Sequence, residues 1–113
     1  MVKSIQYFNE KSVPIFEKLE DEFLRDPSDI ASYVTKLTEE LHKAGIRMIE
    51  ETLSYLDEMI NESEARKLSW VVDRHETKQL ITSLGSVNYQ KTLFRNKENG
   101  NRSYIIDLIM GMN

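Results

Sequence analysis

Residues 26–63, DPSDIASYVTKLTEELHKAGIRMIEETLSYLDEMINES, constrain the fold more than any other part of the chain. They open on a helix start. Asp26 can cap free backbone N–H groups, Pro27 suits the first helical position, and Asp29 sets a negative charge against the positive helix end. Apolar residues recur on one helical face at Ile30, Val34, Leu37 and Leu41, and resume after Gly45 as Met48, Ile49, Leu53, Leu56, Met59 and Ile60. About 35 helical residues make a rod of roughly 50 Å. A compact domain of 113 residues has a radius of gyration of about 13 Å, a sphere only ~35 Å across. The rod does not fit inside that sphere. Either it breaks at Ala44-Gly45, where glycine costs about 1 kcal/mol relative to alanine, or it projects and meets a partner.

A chain of 113 residues, 40% hydrophobic and 30% charged, is one soluble domain with room for a core. No apolar run approaches the ~18 residues of a membrane span, and MVKSIQYFNEK lacks the apolar core and cleavage site of a signal peptide. The absence of cysteine excludes disulfides and thiolate zinc sites and fits a reducing, cytoplasmic setting. The net charge of −4 conceals an asymmetry. Residues 1–65 hold 7 Lys/Arg and 15 Asp/Glu, whereas residues 66–102 hold 8 Lys/Arg and 3 Asp/Glu. An acidic helical half joined to a basic half raises nucleic acid as a partner on one side only. The competing reading is ordinary solvated faces, with Lys and Arg discouraging edge-to-edge strand pairing.

In chain order, a first helix is expected over residues 12–24, striped by Val13, Phe16, Leu19 and Phe23 and capped at Ser12, because Pro14 is tolerable only in a first turn. Tyr7 and Phe8 would staple its entry against the second helix, which spans 27–62 and packs antiparallel after a short break. Residues 1–68 thus form a helical hairpin. From Trp70 the period changes. Trp70-Val71-Val72 and Gln79–Leu84 read as two short strands, Val87, Tyr89 and Leu93 alternate with polar residues as a third, and Asn99-Gly100 is a hairpin turn leading to Ser103–Asp107. The fold class is α+β: a helical hairpin with one very long helix, then a three- to four-stranded antiparallel β-meander over 69–113, forming one compact unit. The closing residues 108–113 are apolar and stop abruptly, so more protein is expected to follow.

Several constellations carry little chemistry. Glu39-x-x-His42 has the spacing of half a di-metal site, but both residues lie off the apolar stripe and no second copy exists. Asp73, His75 and Ser83 are triad residue types without nucleophile-elbow glycines. No Gly-rich phosphate cradle is present. Trp70 reads as a core anchor, and Met48, Met59, Met110 and Met112 as core or interface filling. No cofactor, metal or small-molecule substrate is implied. The basic set weighs more: Lys91 and Arg95 share the parity of Val87 and Tyr89, and a ribbon with Lys97 and Arg102 near its tip could reach a DNA backbone.

The runs TSLGSV at 82–87, KTLF at 91–94 and YIIDLIMG at 104–111, together with the long helical stretch, resemble the N-terminal region of the ISLre-group insertion-sequence transposases, long catalogued in bacteria as an uncharacterised protein family. That resemblance covers essentially the whole chain. It implies a longer protein with a ribonuclease-H-like catalytic domain and its acidic metal ligands downstream, so no catalytic residue transfers here and this region is not itself an enzyme. What it implies instead is a module for binding DNA ends or for self-association.

Two mechanisms follow. In one, the meander grips DNA through Arg74, Lys78, Lys91, Arg95, Lys97 and Arg102 while the acidic helices face away. In the other, Leu41, Met48, Leu53, Leu56 and Met59 of the long helix pair with a twin chain as a homo-oligomer, and the basic residues only solubilise the sheet.

Overall fold

The computed structural model describes residues 2–112. Helix α1 (Val2–Tyr7) runs through a π-helical segment (Phe8–Ser12) into α2 (Val13–Arg25). Helix α3 (Ile30–Glu62) follows, then the short α4 (Glu64–Ser69). Strands β1 (Trp70–Thr82), β2 (Gly85–Asn96) and β3 (Arg102–Tyr104) form an antiparallel sheet in chain order, and α5 (Ile105–Ile109) closes it. The expected α+β class and long helix are found.

The first helix starts ten residues earlier than its sequence pattern suggests. Pro14 has no N–H, and its ring crowds the carbonyl four residues back. The π turn ahead of it absorbs the mismatch, with Val13 N–H bonding to the Phe8 carbonyl five residues earlier. Ser12 is therefore no cap. It is fully buried and donates its hydroxyl to Glu40 Oε1 on α3 at 3.0 Å, which fixes the pitch of the hairpin. Tyr7 does staple the helices, its ring lying under the Arg47 guanidinium at 3.9 Å, whereas Phe8 packs tilted against Phe16 on its own side of the hairpin. The second helix starts later than expected. Asp29, not Asp26, caps it, accepting from Ser32 N–H at 3.0 Å, while Asp26 closes a small turn by accepting from Ser28 N–H.

Helix α3 does not break at Gly45. All 33 residues are helical, and the molecule measures 67 × 24 × 18 Å with a radius of gyration of 19.7 Å. Gly45 serves close approach: a Cβ there would sit 2.6 Å from Leu84 Cδ1, in the turn between β1 and β2. The hairpin turn thus docks midway along α3, and the sheet covers only the C-terminal half of the helix. Leu53 meets Val87 and Tyr89 in one core cluster, extended by Ile46, Ile49, Leu80, Met110 and Met112. Ile60 meets Phe94 and Ile106 in a second, with Leu56, Trp70 and Ile105 alongside, so Trp70 is indeed a core anchor. The N-terminal half of α3 carries α2 instead, as Phe23 stacking on Tyr33 shows.

Two strand assignments change. The separate runs at 70–72 and 79–84 are one continuous β1, paired with β2 along its whole length and carrying a bulge at Asp73. The returning strand is only Arg102–Tyr104, because Ile106 must turn inward to fill the second cluster and Asp107 must reach back to β2. Where β3 stops short, the exposed edge of β2 is partly satisfied from α3: Asn88 N–H donates to Glu50 Oε2 at 2.7 Å.

Candidate association surface

Each residue of an α-helix turns the chain about 100°. On that wheel α3 has three sectors. One faces α2, the π segment and α1 through Tyr33, Glu40 and Arg47 respectively. A second faces the sheet through Ile46, Leu53, Asp57 and Ile60. The third faces outward and carries Ile30, Val34, Leu41, Met48, Tyr55 and Met59, each roughly half exposed. These six fall within an arc of about 60° along some 44 Å of helix. No Asp, Glu, Lys or Arg of residues 30–59 enters a sector about 100° wide around them. Thr52, also in that sector, turns its hydroxyl back to the Met48 carbonyl at 2.7 Å. The spacing Val34–Leu41–Met48–Tyr55 is a strict seven, the period of a coiled-coil seam.

The sequence-derived association set divides on this surface. Leu41, Met48 and Met59 are exposed at 48%, 45% and 54%. Leu53, at 8%, belongs to the core, and Leu56 packs against the second cluster, so neither can meet a partner. Apolarity alone could not sort the three sectors of α3. The seven-residue interval and the uncharged arc would have added Ile30, Val34 and Tyr55.

The basic set is dispersed and partly neutralised. Lys91 is withdrawn from any surface: it is 6% exposed, its Nζ lies 2.6 Å from Asp107 Oδ2, and the Tyr104 ring sits 3.9 Å away. Burial alone would lower its pKa, but the hydrogen bond and charge of Asp107 more than offset this and hold it raised. Arg74 pairs with Glu76 and Arg102 with Asp73, both at 2.8 Å, and Lys97 donates to the Lys67 carbonyl. Lys78 and Arg95 are exposed and make no ion pair among the described residues.

A polar cluster around the buried Asp57 and Thr92 joins α3 to the sheet. The Thr92 hydroxyl contacts both Asp57 carboxylate oxygens at 3.1 and 3.2 Å, accepts from Asn61 Nδ2 at 3.0 Å, and lies 2.9 Å from His75 Nδ1. Burial pushes the Asp57 carboxyl up, against the opposing pull of the Thr92 hydrogen bond and the His75 charge. The cluster locks the helix to β2 and offers no nucleophile to solvent. His75 is thereby committed to Thr92, Asp73 to Arg102, and Ser83 sits at the far hairpin turn about 26 Å along the strand. Glu39 and His42 are exposed on α3, and among the described residues no group of three His, Cys, Asp or Glu could hold a metal ion. No helix among them is long and apolar enough to cross a membrane.

Comparison with known proteins adds the context. The model of an uncharacterised protein family, UPF0236, matches residues 24–113. Two UPF0236 proteins of Caldanaerobacter subterraneus subsp. tengcongensis are 36% and 33% identical to the chain over 100 residues, covering 88% of it. The chain spans about a fifth (21%) of the length of each of these curated relatives. No solved structure matches. With its long helix and three-stranded sheet wholly inside the matched region, the chain belongs to the bacterial UPF0236 family.

Proposed function

We propose that this chain is a non-catalytic association module of a longer, transposase-like bacterial protein, and that the outward sector of α3 is its working surface. One observation carries the reading: six large apolar side chains, half exposed, form an unbroken uncharged stripe down a helix of 33 residues. Isolated exposed apolar residues are ordinary, but a contiguous stripe marks an interaction site. The resemblance to insertion-sequence transposases implies a module for binding DNA ends or for self-association, and the stripe fits the second.

The test is sedimentation velocity on the native chain and on Leu41→Glu/Met48→Glu. Both positions are half exposed, so the variant should keep its helical circular dichroism while losing the association that the native chain shows. Native association that survives the double charge would rule out the stripe.

Contact with DNA is the second reading, favoured by the exposure of Arg74, Lys78, Arg95, Lys97 and Arg102 along the three-stranded sheet and its β2–β3 connection. If three to five of them met phosphates, log affinity would fall with log salt at a slope of roughly −2.7 to −4.5. Arg95→Glu/Lys97→Glu should then weaken binding without altering sedimentation. Absence of binding at low salt would remove this reading and leave the first intact.

A further inference from the structure

We infer that the α3 stripe is covered by the same stripe of one second copy, running antiparallel, with a two-fold axis crossing α3 between Ala44 and Gly45. This rests on α3 being the association surface, and it adds the occupant, the stoichiometry and the register.

The ground is the symmetry of the stripe. Its six members are spaced four, seven, seven, seven and four residues apart, which reads the same from either end. An isologous two-fold interface demands that property, because if one residue meets a second, the second must meet the first. Turned about a point midway between residues 44 and 45, Ile30 comes level with the partner's Met59, Val34 with the partner's Tyr55, and Leu41 with the partner's Met48. Each of the six then faces another of the six, none is left opposite a charge, and the partly buried Leu37 in the same arc comes level with the partner's Thr52.

Orientation follows from what each half of the helix carries. The axis falls where α2 gives way to the sheet as the covering of α3. Residues 1–45 hold 6 Lys/Arg and 9 Asp/Glu, a balance of −3, and residues 46–113 hold 9 and 10, a balance of −1. Parallel pairing would set the two more acidic arms side by side and align the two helix dipoles. Antiparallel pairing places each arm beside the partner's sheet end and opposes the dipoles. The area is adequate. A strip about 44 Å long and a helix-width of ~10–12 Å across covers roughly 500 Å² in projection, and the flanking rows bring it towards the ~800 Å² per partner of a stable interface.

The chain contains no cysteine, so disulfide mapping is clean. Val34→Cys and Tyr55→Cys are prepared singly, oxidised alone and as an equimolar mixture, and run without reductant. The antiparallel arrangement predicts a cross-linked dimer in the mixture at roughly fivefold the yield of either variant alone. Ile30→Cys with Met59→Cys is an independent second pair, should one variant misfold. Efficient cross-linking of Val34→Cys with itself would mean parallel helices and overturn the inference, while the association reading stands. A native chain that stays monomeric up to about 0.5 mM would overturn both. A dimer that persists in Leu41→Glu/Met48→Glu would overturn the association reading by itself.

Discussion

Lys91 is the residue whose sequence and structural readings diverge most, and its pair with Asp107 can be tested directly. The two side chains are 8% and 17% exposed and 2.6 Å apart, with the Tyr104 ring over the ammonium and the Tyr89 hydroxyl donating to Asp107 Oδ1 at 3.3 Å. Removing one partner of a buried pair costs about 3–5 kcal/mol, because the survivor is left as an uncompensated charge. The survivor, Lys91, keeps a little access to water, which places Asp107→Ala in the lower part of that range, about 3–4 kcal/mol. Lys91→Met should cost less, about 1–2 kcal/mol, since Tyr89 still donates to the better-hydrated carboxylate. Lys91→Met/Asp107→Leu should return to within about 1 kcal/mol of the native chain, because the desolvation penalty disappears with the attraction. The coupling energy would then be about 4 kcal/mol. Urea denaturation followed by the single tryptophan, Trp70, reads these values, since Trp70 packs against the core cluster nearest the pair. A loss of 3 kcal/mol should lower Tm by roughly 9–15 °C. Asp107→Ala costing under about 1 kcal/mol would refute the buried-pair account and return Lys91 to the surface set.

Two further perturbations probe the helix–sheet contact. Asp57 has its pKa raised by burial, so the stability linked to its protonated form is complete below the ordinary value of 3.8 and declines as pH rises through the folded value. Asp57→Asn cannot ionise, so thermal melts should show it as stable as the native chain or more so at pH 7, with the advantage gone below about pH 4; a native-like pH profile in the variant would contradict this. At Gly45, alanine should gain about 1 kcal/mol of helix propensity, but its Cβ would lie 2.6 Å from Leu84 Cδ1. Chemical denaturation should therefore find Gly45→Ala near neutral in the native background and stabilising by about 1 kcal/mol in a Leu84→Ala background.

The sequence by itself determined the helical periodicity of residues 30–60, the switch from helical to strand period at Trp70, the Asn-Gly connection and the acidic-to-basic gradient. These are local properties, written in periodicity, turn chemistry and charge. Ser12, Gly45 and Lys91 were decided only by the tertiary structure. Ser12 resembles a cap until Glu40, 28 residues away, accepts its hydroxyl. Gly45 resembles a helix break until Leu84 arrives to fill the space of its missing side chain. Lys91 resembles a surface cation until Asp107, on a helix where a strand was expected, folds back onto it. The association stripe lies between these cases. Its residues and their seven-residue interval are in the sequence, but α3 is apolar on more than one side, and hydrophobicity does not say which side is already taken. Only the placement of α2 on one sector and of β2 on another leaves Ile30, Val34, Leu41, Met48, Tyr55 and Met59 facing outward, because a helix with two covered faces has one left for a partner.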